Sequence, residues 1–199
     1  MIRRAFTAGL LAFGTLAALP ASAQQLSLGA ISQYLNSLKT AQGSFTQING
    51  DGTISTGTIA IKRPGKVRFD YNPPERALVL ASAGAVYILD RKLNAQPETY
   101  PLNQTPLSII LDRNVNLAKA GMVKSHSYDG TATVVTAQDP KRPEYGTIQL
   151  KFTANPVELR QWIITDGDGN QTTVVLGGLT KANLPNSLFY IEPELKKLR

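Results

Sequence analysis

Residues 54–90 read ISTGTIAIKRPGKVRFDYNPPERALVLASAGAVYILD. Four short runs rich in β-branched and aromatic residues, ISTGTIAIK, KVRFDY, RALVLA and AVYILD, are punctuated by Gly and Pro, which is the pattern of consecutive strands. The connection Lys62-Arg63-Pro64-Gly65, like Asn49-Gly50-Asp51-Gly52 before it, is too short to cross over a sheet, so each strand pairs antiparallel with the next. The stretch therefore predicts a meander. Its basic segment KRPGKVR, residues 62–68, raises the question of nucleic-acid binding. Strand alternation puts Val67, Phe69 and Tyr71 on one face and Lys66, Arg68 and Asp70 on the other. The rings thus point away from the charges, whereas a single-strand binding groove interleaves the two. A solvated outer face is expected for Lys66 and Arg68, and no nucleic-acid partner.

Outward from this stretch the same period recurs. GSFTQING precedes it, and VKSHSYD, TATVVTAQ, GTIQLKF, VELRQWIIT, QTTVVL and LFYI follow, with hairpin turns at Asp129-Gly130, Asp139-Pro140 and Asp166-Gly167-Asp168-Gly169. Roughly ten strands are expected. Two segments break the pattern. Leu28, Ile31, Leu35 and Leu38, with Tyr34 beside them, fall at helical spacing and predict an amphipathic helix over 26–39. Thr105-Pro106 opens LSIILD and predicts one or two short helices within 105–121. Antiparallel strands in this number curl into a barrel or half-barrel, and these two segments are the elements available to cover an open mouth. The expected fold is mainly β: an incomplete, half-open antiparallel barrel with a helical lid.

Arg3 and Arg4 lead into the apolar run AFTAGLLAFGTLAAL, and Ala21-Ser22-Ala23 supplies the small residues of a cleavage site. Residues 1–23 are expected to be a signal peptide removed before Gln24, leaving a single domain over 24–199 exported to the periplasm. Loss of Arg3 and Arg4 takes the basic count from 21 to 19 against 14 acids, a net charge of +5. Cysteine is absent, so stability must come from packing without disulfides. Catalytic groups are scarce. The one histidine, His126, sits in the alternating run Val123–Tyr128, where a solvent-facing position is expected, and there is no G-x-S-x-G elbow or metal-spaced histidine pair. The stretch Asp166 to Asn170 imitates the start of a calcium loop, but Gln171 and Gly177 stand where that loop needs glycine and glutamate, so a hairpin turn is expected. No enzyme activity, cofactor or metal is expected.

Phe45, Ile59, Ile61, Val67, Phe69, Tyr71, Leu78, Leu80, Val86 and Ile88 come from sequential hairpins and can line one concave apolar surface. Composition alone leaves that surface open as a plain core or a ligand cavity. The pieces Ser44-Phe45-Thr46-Gln47, Gly57 to Tyr71 with its K-R-P turn, Pro74, Asp90 to Gln96, and Tyr100-Pro101-Leu102 followed by Thr105-Pro106-Leu107 stand in this order behind a signal segment and without a lipid-attachment cysteine. In that combination the chain resembles the LolA family of periplasmic outer-membrane lipoprotein carrier proteins, with the match running over about residues 26–113. The resemblance implies a barrel closed by helices over an apolar cavity for the acyl chains of lipoproteins. Cargo would come from the inner-membrane LolCDE transporter and pass to the outer-membrane receptor LolB. It also implies a lid latch: the arginine of the K-R-P turn, Arg63, bonding to lid backbone, with Leu35 of the first helix and Ile110 and Leu111 of the insertion at the contact. A monomer without cofactor is expected. The alternative is a periplasmic regulator that senses lipids or lipoproteins with the same half-barrel.

Overall fold

A computed structural model describes residues 25–93, 95–119 and 121–197; the signal peptide expected at 1–23 and the cleavage expected before Gln24 lie outside them. Helix α1 (Leu28–Ser37) starts where Ser27 Oγ accepts from the Ala30 amide at 3.1 Å. Ile31 and Leu35, four residues apart, bury one face. The chain then enters β1 (Thr40–Ile48), and β2 (Ile54–Lys62), β3 (Lys66–Tyr71), β4 (Ala77–Ser82), β5 (Ala85–Asp90) and β6 (Glu98–Pro101) pair in sequence order. This is the predicted meander, with three strands, Ile54–Lys62, Lys66–Tyr71 and Ala85–Asp90, bounded as read from the sequence.

The second half repeats the logic with β7 (Val123–Tyr128), β8 (Thr133–Ala137), β9 (Thr147–Thr153), β10 (Glu158–Thr165) and β11 (Gln171–Leu176). β11 pairs with β1, matching Phe45 to Leu176 and Gln47 to Val174. A short β12 (Thr180–Lys181) pairs with the start of β1. The order across the sheet is β6-β5-β4-β3-β2-β1-β11-β10-β9-β8-β7. Consecutive strands β6 and β7 therefore stand at opposite edges and do not pair, which leaves an open antiparallel sheet of 12 strands. The connection must travel between those edges, and its described residues are 102–119 and 121–122. They cross the inner side, carrying a 3-10 turn (Leu102–Gln104) and α2 (Leu107–Leu111). Leu102, Leu107, Ile109, Ile110 and Leu111 join α1 and both halves of the sheet in one buried apolar cluster.

The outer face departs from expectation. Arg68 is not solvated: it is 7% exposed, because the C-terminal segment lies over it. Leu184 and Phe189 pack on Leu78, Leu80 and Leu89 in a second cluster. Arg68 Nη1 donates to the Leu188 carbonyl at 3.0 Å, Lys62 Nζ to the Leu184 carbonyl at 2.6 Å, and Lys66 Nζ to Asn186 Oδ1 at 3.2 Å. The run LFYI, expected as a strand, is a 3-10 turn (Asn186–Phe189) followed by α3 (Glu192–Lys196). Phe189 is fully buried whereas Tyr190 is half exposed, so one anchor side chain produced the apolar signal. The strands β6 and β12 went unpredicted, since every residue in them is exposed and an edge without a buried face has no period-2 pattern.

An ion network clamps this strap. Arg68 pairs with Asp70 at 2.5 Å and Glu194 at 3.0 Å, and Arg91 Nη2 reaches the same two carboxylates at 2.8 and 3.0 Å. Burial pushes the Glu194 carboxyl up, but the bonds from Arg68, Lys197 and Arg91 outweigh it and bring it from 4.5 to about 2. Asp70 is likewise held low by Arg68 and Arg91 against burial. A carboxyl with a depressed folded-state pKa contributes stability above its unfolded pKa and loses it as pH falls through the folded one. Stability is therefore expected to fall between pH 4.5 and about 2. Glu194→Gln is expected to flatten that part of the profile and to cost about 1.5 to 3 kcal/mol at pH 7, both read by urea unfolding across pH.

Candidate functional site

Beneath the crossing segment lies a cavity of about 540 Å³. Its sheet wall carries Phe69, Val79, Val86, Ile88, Trp162, Ile164 and Val174, and Gln104 to Leu107 of the insertion form its cover. Period-2 alternation places these wall residues together. Phe69 is opposite Val79, Val79 is opposite Ile88, and Trp162 is opposite Val174. The aromatic rings meet edge to face: Phe69 with Trp162 at 6.1 Å, Phe45 with Phe69 at 5.2 Å and Phe45 with Tyr71 at 5.0 Å. Gly57 makes room for this, since a Cβ there would come within 2.7 Å of the Phe45 ring and 2.1 Å of the Asp70 carbonyl. The rim is acidic. Glu144, Asp166 and Asp168 lie along it beside Tyr145, in two turns that touch closely enough for a Cβ on Gly167 to fall 2.4 Å from the Glu144 carbonyl.

Of the residues expected in the cavity, Phe69, Tyr71, Val86 and Ile88 line it. Phe45, Ile59, Ile61 and Val67 are buried in the adjoining core, without lining the cavity. Leu78 and Leu80 are corrected: they face the other way, under the strap. Register fixes this, because Leu80 pairs with Arg68 of the outer face and Val79 with Phe69 of the inner one. In β4 both faces are buried, so apolar character could not reveal parity; the pairing partner does. Trp162 and Ile164, which the expected wall lacks, alternate within β10 and line the cavity as well. Asp166 closes its hairpin by accepting from the Asp168 and Asn170 amides at 3.0 and 2.9 Å. His126 is half-buried, its Nε2 2.8 Å from the Leu26 carbonyl oxygen.

Arg63 projects from the β2–β3 turn and is 8% exposed. Its Nη2 donates to the Asp112 carbonyl, just past α2, and to Asn36 Oδ1 at 3.2 Å. Nε and Nη1 have no partner among the described residues. Burial pulls the guanidinium below its ordinary value, and the nearby Asp112 charge partly restores it. Leu35, Ile110 and Leu111 are buried around this point, and the Gly65 amide donates to the Leu111 carbonyl at 2.9 Å.

Two residues missed in the sequence join the lid segments. Asn36 Nδ2 donates to the Val115 carbonyl at 2.8 Å while its Oδ1 accepts from the Val115 amide at 2.9 Å. One turn earlier, Ser32 Oγ accepts from the Leu117 amide at 3.0 Å. Positions four apart on a helix rise about 6 Å and positions two apart on an extended chain about 6.6 Å, so Ser32 and Asn36 serve residues 117 and 115 in register. Polar residues at i and i+4 on a helix whose apolar stripe is adjacent were the available signal.

A family model described as outer membrane lipoprotein carrier protein LolA matches residues 36–192. A Cupriavidus necator protein named outer-membrane lipoprotein carrier protein is 28% identical, with 82% of each chain covered. One of the same name from Neisseria meningitidis serogroup B is 25% identical, with 87% of this chain and 86% of the relative covered. A solved LolA superfamily protein from Nitrosomonas europaea aligns with a TM-score of 0.45 at 10% identity, over 83% of this chain and 98% of its own.

Asn36→Ala strips both partners from the buried Val115 backbone and removes an acceptor of Arg63. It is expected to cost about 2 to 4 kcal/mol in urea unfolding, and to speed hydrogen exchange at the Val115 and Leu117 amides.

Proposed function

This chain belongs to the LolA family of outer membrane lipoprotein carrier proteins, and from that membership we propose that it is a periplasmic chaperone moving lipoproteins between membranes. In this reading the acyl chains of the cargo enter the cavity, arriving from the inner-membrane LolCDE transporter and leaving to the outer-membrane receptor LolB. The observation that supports it most is the apolar cavity under the segment that joins the two sheet edges. Its 540 Å³ falls in the range of ligand pockets, about 300 to 1,000 Å³. Each methylene withdrawn from water contributes about 0.8 kcal/mol, so a partly enclosed chain of about ten methylenes gains roughly 8 kcal/mol. That gain drives uptake, and an uncovered cavity would bind membranes or other copies by the same force.

The lid must therefore close firmly and open readily. Arg63 sits in the first half of the sheet and its acceptors belong to the lid. Both bonds come from a single nitrogen, and three donors of a buried cation have no partner among the described residues, which weakens closure without abolishing it. Cargo opens the lid by binding the open state better. Carriage breaks and forms no covalent bond, so the chain acts as a carrier and not as an enzyme, and it needs no cofactor. The basic Arg3-Arg4 pair and the apolar run after it support export with cleavage before Gln24, leaving one monomeric domain over 24–199.

Native mass spectrometry of the protein purified from a bacterial periplasm tests the reading: bound acylated polypeptide is the expected result, and free or chemically altered lipid alone would count against it. Arg63→Leu is expected to bind lipoprotein yet pass it to LolB at least tenfold more slowly, since the closed state that drives release is weakened. Transfer at the normal rate would remove the latch role.

A further inference from the structure

The floor of the cavity is not uniformly apolar. Gln47 and Tyr71 both line it, both are half-buried, and they are bonded to one another: the Tyr71 hydroxyl donates to Gln47 Oε1 at 2.6 Å. From there the donors run one way. Gln47 Nε2 donates to Asn49 Oδ1 at 2.7 Å, Asn49 Nδ2 to Thr53 Oγ1 at 2.8 Å, and Thr53 Oγ1 to the Asp51 carboxylate at 2.7 Å. A chain of hydrogen bonds with one direction, ending on a charge, polarises each member and fixes its orientation. In this arrangement the Gln47 amide turns its oxygen to Tyr71 and its NH2 to Asn49.

The Tyr71 phenol, pushed up to about 12 by burial, is the donor in its bond to Gln47 Oε1. The first hydrogen of Gln47 Nε2 is used by Asn49, and the second is engaged by none of the described residues. Val174 is opposite Gln47 on β11, and Phe69 and Trp162 line the same cavity; none of these three side chains offers an acceptor, and the carboxylates of Glu144, Asp166 and Asp168 belong to the acidic rim. An N–H with a hydrogen to spare, beside the apolar side of the wall, suits a ligand that is mostly hydrocarbon and carries an isolated carbonyl.

We propose that Gln47 recognises the acyl linkage of the cargo, its free Nε2 hydrogen donating to the ester or amide carbonyl that joins a fatty chain to its head, with Tyr71 as the positioning residue that fixes the amide. The inference rests on the carrier reading and adds to it a preference for acyl over alkyl chains. It also orients the cargo: the hydrocarbon lies against Phe69 and Trp162, and the linkage lies at the Gln47 end.

The test compares two synthetic lipopeptides with the same chains, one ester-linked to a glyceryl-cysteine head and one ether-linked, which lacks those carbonyls. Trp162, the single tryptophan of the chain, lies in the cavity wall and reports binding by its fluorescence. One hydrogen bond corresponds to about a tenfold preference, so the unaltered protein is expected to bind the ester form about tenfold more tightly. Gln47→Met is expected to bring that ratio close to one, and Tyr71→Phe to lower it part of the way. Because the ratio is taken on a single protein, a general loss of stability does not mimic the effect. A ratio near one in the unaltered protein, or one that Gln47→Met leaves intact, overturns the recognition and leaves the carrier reading standing. Failure of the unaltered protein to bind either lipopeptide overturns both.

Discussion

Everything above the sheet follows from one covalent constraint: β6 and β7 are consecutive in the chain but lie at opposite edges of an unclosed sheet. A connection between such edges has two routes, over the convex face or across the concave one. Here it takes the concave side, and it is apolar enough to be buried there through Leu107, Ile109, Ile110 and Leu111. The lid is thus not an appendage placed on a finished barrel. It is the path the chain needs to get from its first half to its second.

That path makes the position of Arg63 intelligible. Helix α1 runs directly into β1, yet it is held by the second half: just before the helix the Leu26 amide donates to Thr133 Oγ1 at 2.8 Å, and within it Tyr34 packs edge-on against Phe152 at 5.9 Å. Through Ser32 and Asn36, α1 is joined to residues 115–117 of the crossing segment. Arg63 stands in the first half and reaches this joined body at both Asn36 and Asp112. A single side chain therefore sits where the two halves and the lid meet.

Much of this was legible in the sequence, for definable reasons. Strands with one buried face, such as ISTGTIAIK, declare themselves by alternation, and the K-R-P turn declares itself by chemistry. The helix over 28–37 was visible because its apolar stripe has a helical period. What stayed hidden was whatever lacked a contrast between two sides. β4 is buried on both faces, so the sequence could not tell Val79 from Leu78 and Leu80. β6 and β12 are exposed throughout and carry no period. Arg68 looked like a surface charge because its partner Glu194 lies 126 residues away, and long-range ion pairs leave no local trace. The cavity wall was half-read for the same reason: the first half supplied its members from tight hairpins, whereas Trp162, Ile164 and Val174 join them only through the pairing of β1 with β11.

The C-terminal strap has a mechanical corollary. It adds a packed layer to the outer face over β2 to β5 through Leu184 and Phe189, while the outer face of β7 to β10 has no such layer among the described residues. Bending resistance rises steeply with thickness, so the molecule joins a stiff plate to a compliant one. A load applied from within the cavity deforms the softer side first. The hydrophobic pocket can then change girth by flexing β7 to β10, while the wall that bears Phe69, Tyr71 and the base of Arg63 keeps its shape.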